Sequence, residues 1–219
     1  MATRQSFHEQ LKALQRDLLK MGVLVTEQIE KAMQSLAKSD LELARNVIDG
    51  DDTVDAMLID IEKRSLQLMA LQQPMASDLR TIGTALKIVT DLERMADHAT
   101  DIAKITVRLD REPLIKELVL LPRMAERVQV MIHEALEAYV NRDVARARTM
   151  TDLDDDVDAT YREVFDELLG IMQTHPPSVK QATYLLLVAM YLERIGDHAT
   201  NLGEWTIYMV TGELKDLNA

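Results

Sequence analysis

The chain has no cysteine among its 219 residues, which removes disulfides, thiolate-bound metal and cysteine nucleophiles together. Glycine and proline are scarce, at seven and five, so little of the chain is loop. Aromatic residues make up only 4%. The apolar content is mostly Leu, Ile, Val, Ala and Met, of which Leu, Ala and Met are among the better helix formers. The longest apolar run, Tyr184 to Leu192, has nine residues, about half of the ~20 a membrane crossing needs. It reads as a buried helix. The N-terminus, Met1-Ala2-Thr3-Arg4-Gln5-Ser6, runs into charged amphipathic sequence without the apolar segment of a secretory signal, and a cytoplasmic location is expected. Basic residues are in deficit, 25 against 37 acidic, for a formal charge of −12. That charge repels phosphate backbones, so no nucleic-acid partner is expected, and cations or basic protein surfaces are favoured instead. No Gly-rich phosphate loop and no Ser, His and Asp triad is present. No His has Glu three residues before it, as a ferritin-like di-iron bundle requires. His133-Glu134 is no zincin motif, because Glu137 stands where the second His belongs. The expectation is a protein that is not an enzyme.

What is present is a sequence written twice. Residues 92–100 read Leu-Glu-Arg-Met-Ala-Asp-His-Ala-Thr and residues 192–200 read Leu-Glu-Arg-Ile-Gly-Asp-His-Ala-Thr, seven of nine identical at an offset of 100. Upstream, Asp51-Asp52-Thr53-Val54-Asp55 matches Asp154-Asp155-Asp156-Val157-Asp158 at an offset of 103. Two motifs in the same order signal an internal duplication, with units 1–111 and 112–219. The three-residue difference belongs at the turn marked by Pro74 in one half and Pro176-Pro177 in the other.

Each half resolves into three helical stretches. In the first these are 5–37, 40–71 with a Ser39-Asp40 cap, and 75–109 opened by Pro74 and Ser77. In the second they are 118–140, 143–173 and a last helix from the double proline to Gly212. Helices this long are at home in bundles with short connections. The expected class is all-α, with six long helices in two tandem, pseudo-symmetric three-helix bundles.

On the third helix Ala85, Ile88, Leu92, Ala96, Ala99 and Ala103 form an apolar stripe. Beside it Glu93, Asp97 and Asp101 stand at i, i+4, i+8, and Glu193, Asp197 and Asn201 repeat the pattern. Like charges at this spacing cost roughly 0.2–0.5 kcal/mol per pair, and both halves carry the cost. Asp51 with Asp55, and Asp154 with Asp158, are further i, i+4 pairs on the preceding helix. If neighbouring helices pack antiparallel, four or five carboxylates share a small volume in each half. Hard oxygen donors in that number suit Mg²⁺, Mn²⁺, Fe or Zn²⁺ in a partly hydrated, multinuclear site. An acidic surface that docks basic partner proteins accounts for the same residues, and both readings stay open. A metal-dependent phosphohydrolase is a third, weaker reading that depends on His98 or His198 as a base. Those two histidines follow the motif aspartates and point ~100° away from them, which favours a polar or capping role. Arg94 and Arg194 read as ion-pair partners. His8, His133 and His175 belong to no constellation.

The doubled Leu-Glu-Arg-x-x-Asp-His-Ala-Thr segments resemble the Glu/Asp-x-x-x-Asp signature of the PhoU family, negative regulators of phosphate uptake in bacteria. Asp51-x-x-Val54-Asp55 and Asp154-x-x-Val157-Asp158 resemble its second acidic motif, and Leu19-x-Met21-Gly22 and Ser77-Asp78-Leu79-Arg80 are similar too. The resemblance implies six helices related by a pseudo-twofold axis. It also implies multinuclear iron or zinc, with manganese or magnesium as alternatives, held by Asp51, Asp55, Glu93, Asp97 and Asp101. In the second half the implied ligands are Asp154, Asp158, Glu193, Asp197 and Asn201, with His98, His198, Arg94 and Arg194 auxiliary. Asn201 offers a neutral amide oxygen where the first half has Asp101, so unequal occupancy is expected. The resemblance further implies a cytoplasmic homodimer, a non-catalytic adaptor between the ATPase subunit of the phosphate ABC transporter and a phosphate-sensing histidine kinase.

Overall fold

Two aspartates punctuate the chain in the same way. Asp40 accepts the backbone N–H groups of Glu42 and Leu43 at 3.1 and 3.0 Å, and Asp143 accepts that of Arg146 at 3.0 Å. Each follows a residue in the left-handed region, Ser39 at φ 51° and Arg142 at φ 54°. A carboxylate acceptor satisfies N–H groups that a helix start leaves free, so the duplicated turn sets the entry to the second helical stretch of each half.

In this computed structural model, residues 2–72, 74–110, 112–214 and 216–217 are described. The elements are α1 (Ala2–Lys38), α2 (Leu41–Asp49), α3 (Asp51–Gln72), α4 (Ala76–Leu109), α5 (Leu120–Asn141), α6 (Val144–Arg148), α7 (Met150–Thr174) and α8 (Val179–Thr211). A short 3-10 turn, Pro176–Ser178, leads into α8. No strand occurs among the described residues. The six expected stretches are all there, but the second and the fifth are each divided, at Gly50 and at Thr149. The Gly50 N–H still reaches the carbonyls of Asn46 and Val47 at 3.1 and 3.2 Å, while the Thr149 hydroxyl donates back to Arg146 O at 2.8 Å. Both bend the chain without leaving helical conformation. Ser77 lies inside the first turn of α4 rather than at its cap, its carbonyl accepting the Thr81 hydroxyl at 3.1 Å. Two of the three residues of difference fall at the expected turn, since α3 ends at Gln72 and α4 begins at Ala76 whereas Thr174 ends α7 and the 3-10 turn starts at Pro176; the third is in the helix before it, Asp55 to Gln72 being one residue longer than Asp158 to Thr174.

α4 and α8 pack on each other along the centre, with α1 and α3 flanking α4 and with α5 and α7 flanking α8. The stripe Ala85, Ile88, Leu92, Ala96, Ala99 and Ala103 is fully buried, as are Leu185, Val188, Ala189 and Leu192 of α8. One apolar core runs from Leu14 on α1 through both central helices to Met209. α1 is longer than α5, 37 residues against 22. The positions that extend α1 correspond in the second half to the connection before α5, and that connection folds inward. Leu114, Ile115 and Leu118 join the core. Gln181 near the start of α8 clasps the same segment, accepting from the Ile115 N–H and donating to Pro113 O at 3.0 Å.

Candidate functional site

Gly50 and Thr149 restart a helix just before each upstream motif, which places Asp51 at the first residue of α3 and Asp154 early in α7. α3 then lies along α4, and α7 along α8. In the first half this gathers Asp51, Asp55, Glu93 and Asp97. Burial raises the pKa of Asp51, and the charges of Asp97 and Asp55 raise it further. Glu93 is raised by burial and by Asp97. The second half repeats the arrangement with Asp154, Asp158, Glu193 and Asp197. Asp154 is pushed up to about 6, first by burial and then by Asp197 and Asp158. Glu193 is raised by burial and by Asp197 and Asp158, and Asp197 by burial and Asp158. Each motif threonine faces its upstream aspartate. Thr100 approaches Asp51 closely enough to lower its pKa, although its buried hydroxyl reaches no partner in hydrogen-bond geometry.

The cations are unevenly shared. Arg94 pairs with Glu93 at 3.5 Å and with Asp97 at 3.2 Å, and Lys104 pairs with Asp101 at 3.0 Å. In the second half Arg162 pairs with Asp158 at 3.1 Å, but among the described residues Arg194, Asp154, Glu193 and Asp197 form no ion pair. Asn201 is not brought to this group. It turns across to α4, where its Nδ2 donates to Asp91 Oδ1 at 3.1 Å. No three His, Asp or Glu side chains among the described residues stand together in a way that holds a metal ion. The carboxylates are neighbours whose charges act on one another, and their oxygens do not close on one point.

The histidines occupy the α4/α8 crossing. Their rings lie 5.9 Å apart. His198 meets Asp91 through Nδ1 at 2.9 Å, whereas His98 stacks on Tyr191 at 5.5 Å and 23°. Positions 91 and 191 are equivalent under the offset of 100, so one residue pair breaks the symmetry: an acceptor on one side, an aromatic plate on the other. The Nδ1 of His98 is buried without a hydrogen bond. Burial, the neighbouring His198 and Arg194 push its pKa down to about 4, and the ring is neutral at physiological pH. Asp91, Tyr191, Thr100 and Thr200 were missed as functional positions. Asp91 had a sequence signal, an aspartate inside the apolar series Ile88, Leu92 and Met95.

The family can now be read from comparison. A model of the PhoU domain matches residues 18–106 and 121–206. The chain belongs to the PhoU family. A Clostridium acetobutylicum relative, called a phosphate-specific transport system accessory protein PhoU homolog, is 45% identical over 99% of both chains. The crystal structure of PhoU from Pseudomonas aeruginosa superposes with a TM-score of 0.90 at 34% identity, over 94% of this chain and 100% of that one. The phosphate transport system regulatory protein PhoU from Streptococcus pneumoniae gives 0.89 at 32% identity, over 96% and 99%. The PhoU match falls once on each half and spans every motif carboxylate.

The raised carboxylates make a pH prediction for metal-free protein. Asp154 binds its proton more tightly when folded, with a pKa of about 6 against 3.8. The folded state therefore holds more protons than the unfolded state between those values, and stability falls as pH rises through about 4 to 6. His98 has the opposite sign, since its folded pKa of about 4 lies below 6.5 and it loses stability as pH falls through that window. Asp154→Asn removes only the first effect. Urea titrations in chelator are expected to show it stabilised at pH 7.5 by about 1 kcal/mol, the half-exposed carboxylate being screened by water. A variant no more stable than the parent at pH 7.5 contradicts this.

Proposed function

We propose that the chain is a negative regulator of phosphate uptake and phosphate signalling, a non-catalytic adaptor between the ATPase subunit of the phosphate ABC transporter and a phosphate-sensing histidine kinase. The relatives' names support the phosphate transport system as its context. The observation that carries the reading is the pair of carboxylate groups, one per repeat, built into helix–helix seams at a cost in repulsion and desolvation. His198 is held by Asp91 and the unbonded Nδ1 of His98 is buried in the α4/α8 seam, which favours an adaptor over a hydrolase that needs an accessible base. Among the described residues no helix is long and apolar enough to cross a membrane, and we place the protein in the cytoplasm as a homodimer that reaches the membrane through its partners. Residues 1–111 and 112–219 serve as the two duplicated units.

We further infer that the groups hold multinuclear metal, iron or zinc, with manganese or magnesium as alternatives. The donor chemistry fits: desolvated, mutually repelling carboxylates with few cations of their own are relieved by a hard ion. Asp51, Asp55, Glu93, Asp97 and Asp101 would hold it in one half, and Asp154, Asp158, Glu193 and Asp197 in the other, with Asn201 only if its amide leaves Asp91. A bound ion would supply neutralisation and a staple between helices. Since no three side chains already gather about one point, loading includes a side-chain rearrangement. The same observation favours a second reading, a metal-free adaptor whose acidic seams dock basic partner surfaces.

Elemental analysis of protein purified without chelator or affinity metal, with melting curves with and without EDTA, separates them. One or more ions of iron, zinc or manganese per chain, and a melting temperature that falls on chelation, are expected. With metal present Glu93→Gln/Asp97→Asn then destabilises, since a ligand bound only to the folded state is lost. Without retained metal and without a shift on adding Mg²⁺, Mn²⁺ or Zn²⁺, the same double variant is slightly stabilising and the metal-free reading stands.

A further inference from the structure

The two repeats differ beside the start of their last helix, α4 in one half and α8 in the other. In the second half Gln181 and the inward-folded segment carrying Pro113 and Ile115 close the space beside the start of α8. At the equivalent place in the first half, position 181 corresponds to Thr81 and the inward-folded segment to the helical N-terminal part of α1. α1 packs on the start of α4 through Phe7 and Ile82, the shorter Thr81 side chain does not bridge, and a cavity of about 440 Å³ remains where α1, the start of α4 and the ends of α5 and α8 meet. Its volume falls within the ~300–1,000 Å³ usual for small-ligand pockets.

The lining is basic in a chain of formal charge −12. Lys12 comes from α1 and Arg142 from the left-handed cap of α5, and neither forms an ion pair among the described residues. Arg142 is held toward the cavity by a hydrogen bond from Nη2 to Thr81 Oγ1 at 3.1 Å. Tyr139 also lines it. That residue is 2% exposed, yet its hydroxyl makes no hydrogen bond among the described residues. The hydroxyl is not sealed from solvent as those of Ser65 and Thr100 are, and burial of the ring pushes its pKa upward, so it is available as a donor. One wall is apolar, made by Leu11, Val140 and Met209, and Asp78 stands at the side as an acceptor.

We propose that this cavity binds a small organic phosphate, its anionic head held by Arg142, Lys12 and the Tyr139 hydroxyl, with Thr81 orienting the guanidinium, and its body laid on Leu11, Val140 and Met209. A planar guanidinium beside an ammonium and one hydroxyl donor matches a phosphate monoester. The space far exceeds one phosphate group, and the apolar wall rewards a ligand with a body. Asp78 disfavours polyanions and accepts from a hydroxyl of that body, which points to a phosphorylated nucleoside or polyol. The inference is independent of any metal at the carboxylate groups.

The test uses the full chain labelled at methionine methyl groups and titrated separately with AMP, glycerol 3-phosphate and inorganic phosphate. AMP or glycerol 3-phosphate should shift the Met209 methyl saturably and leave Met131, in the core, unmoved. Inorganic phosphate should bind at least tenfold more weakly. Tyr139→Phe deletes only the unpartnered oxygen. It should keep the parent melting temperature and weaken binding about tenfold, the worth of a hydrogen bond to a charged acceptor, and Arg142→Gln should weaken it further. The proposal fails if no probe moves Met209 at millimolar concentration, if inorganic phosphate binds as tightly as the esters, or if both variants bind like the parent.

Discussion

Gly203→Val is expected to lower the unfolding free energy by about 3 kcal/mol, the upper part of the range for overpacked interiors. Gly203 sits where α8 passes the α6–α7 junction. A Cβ there would lie 2.8 Å from Met150 Cγ and 2.9 Å from the backbone carbonyl oxygen of Ala147. Side-chain atoms can turn aside, but the Ala147 carbonyl belongs to α6, whose position is fixed by the Asp143 cap and by the buried Ala138, Ala147 and Ile207 group. The helix would have to move bodily. Gly22 provides the control. A Cβ at that position meets only the end of the Leu136 side chain, which rotates, and alanine gains up to about 1 kcal/mol over glycine within a helix. Gly22→Ala should therefore be close to neutral. Denaturant titrations read both, with the shift taken from the midpoint at unchanged slope. A Gly203→Val protein as stable as the parent would mean that α6 and α8 do not approach as closely as described.

Asp91→Ala is expected to destabilise by about 2–4 kcal/mol. Asp91 is 9% exposed, and a single oxygen, Oδ1, accepts from both His198 Nδ1 at 2.9 Å and Asn201 Nδ2 at 3.1 Å. Truncation strands two part-buried donors in the seam between the central helices, where a fully buried unsatisfied group would cost roughly 1–3 kcal/mol. If that is the cause, removing a stranded donor as well should recover part of the loss. The Asp91→Ala/His198→Phe double variant, in which the ring is kept and its N–H removed, should then be less destabilised than the sum of the singles by at least about 1 kcal/mol, read from a double-mutant cycle. Additive losses would show that His198 and Asp91 do not depend on each other. Tyr191→Ala, at the matched position, removes a stacking plate and strands no donor, so it should leave the His198 pairing intact.

The core stripe and the acidic stripe were legible because both obey helical periodicity over three or four turns. The antiparallel packing that joins Asp51 to Asp97, and Asp154 to Asp197, followed from the short proline turns, which leave consecutive helices little choice but to lie side by side. The divisions at Gly50 and Thr149 were not legible. Neither residue leaves the helical region, and periodicity carries on across such a bend. The placing of Asn201 with the second carboxylate group was read by analogy with Asp101, one turn beyond Asp97. Position along one helix cannot show that a neighbouring helix offers a buried acceptor on the other side.

The sequence alone determined that this protein is all-helical, duplicated and acidic along two matched seams. Those properties depend on composition and on spacings of three, four and about one hundred residues, which are visible in one dimension. Tertiary structure decided the rest: which histidine receives Asp91 and which Tyr191, that Asn201 serves the α4/α8 seam, and that one end of the bundle stays open beside Tyr139 while the other is filled by the segment of Pro113 and Ile115. These features lie where the repeats diverge. They join groups more than sixty residues apart in the chain, and such contacts are set by how the two halves pack rather than by any local pattern.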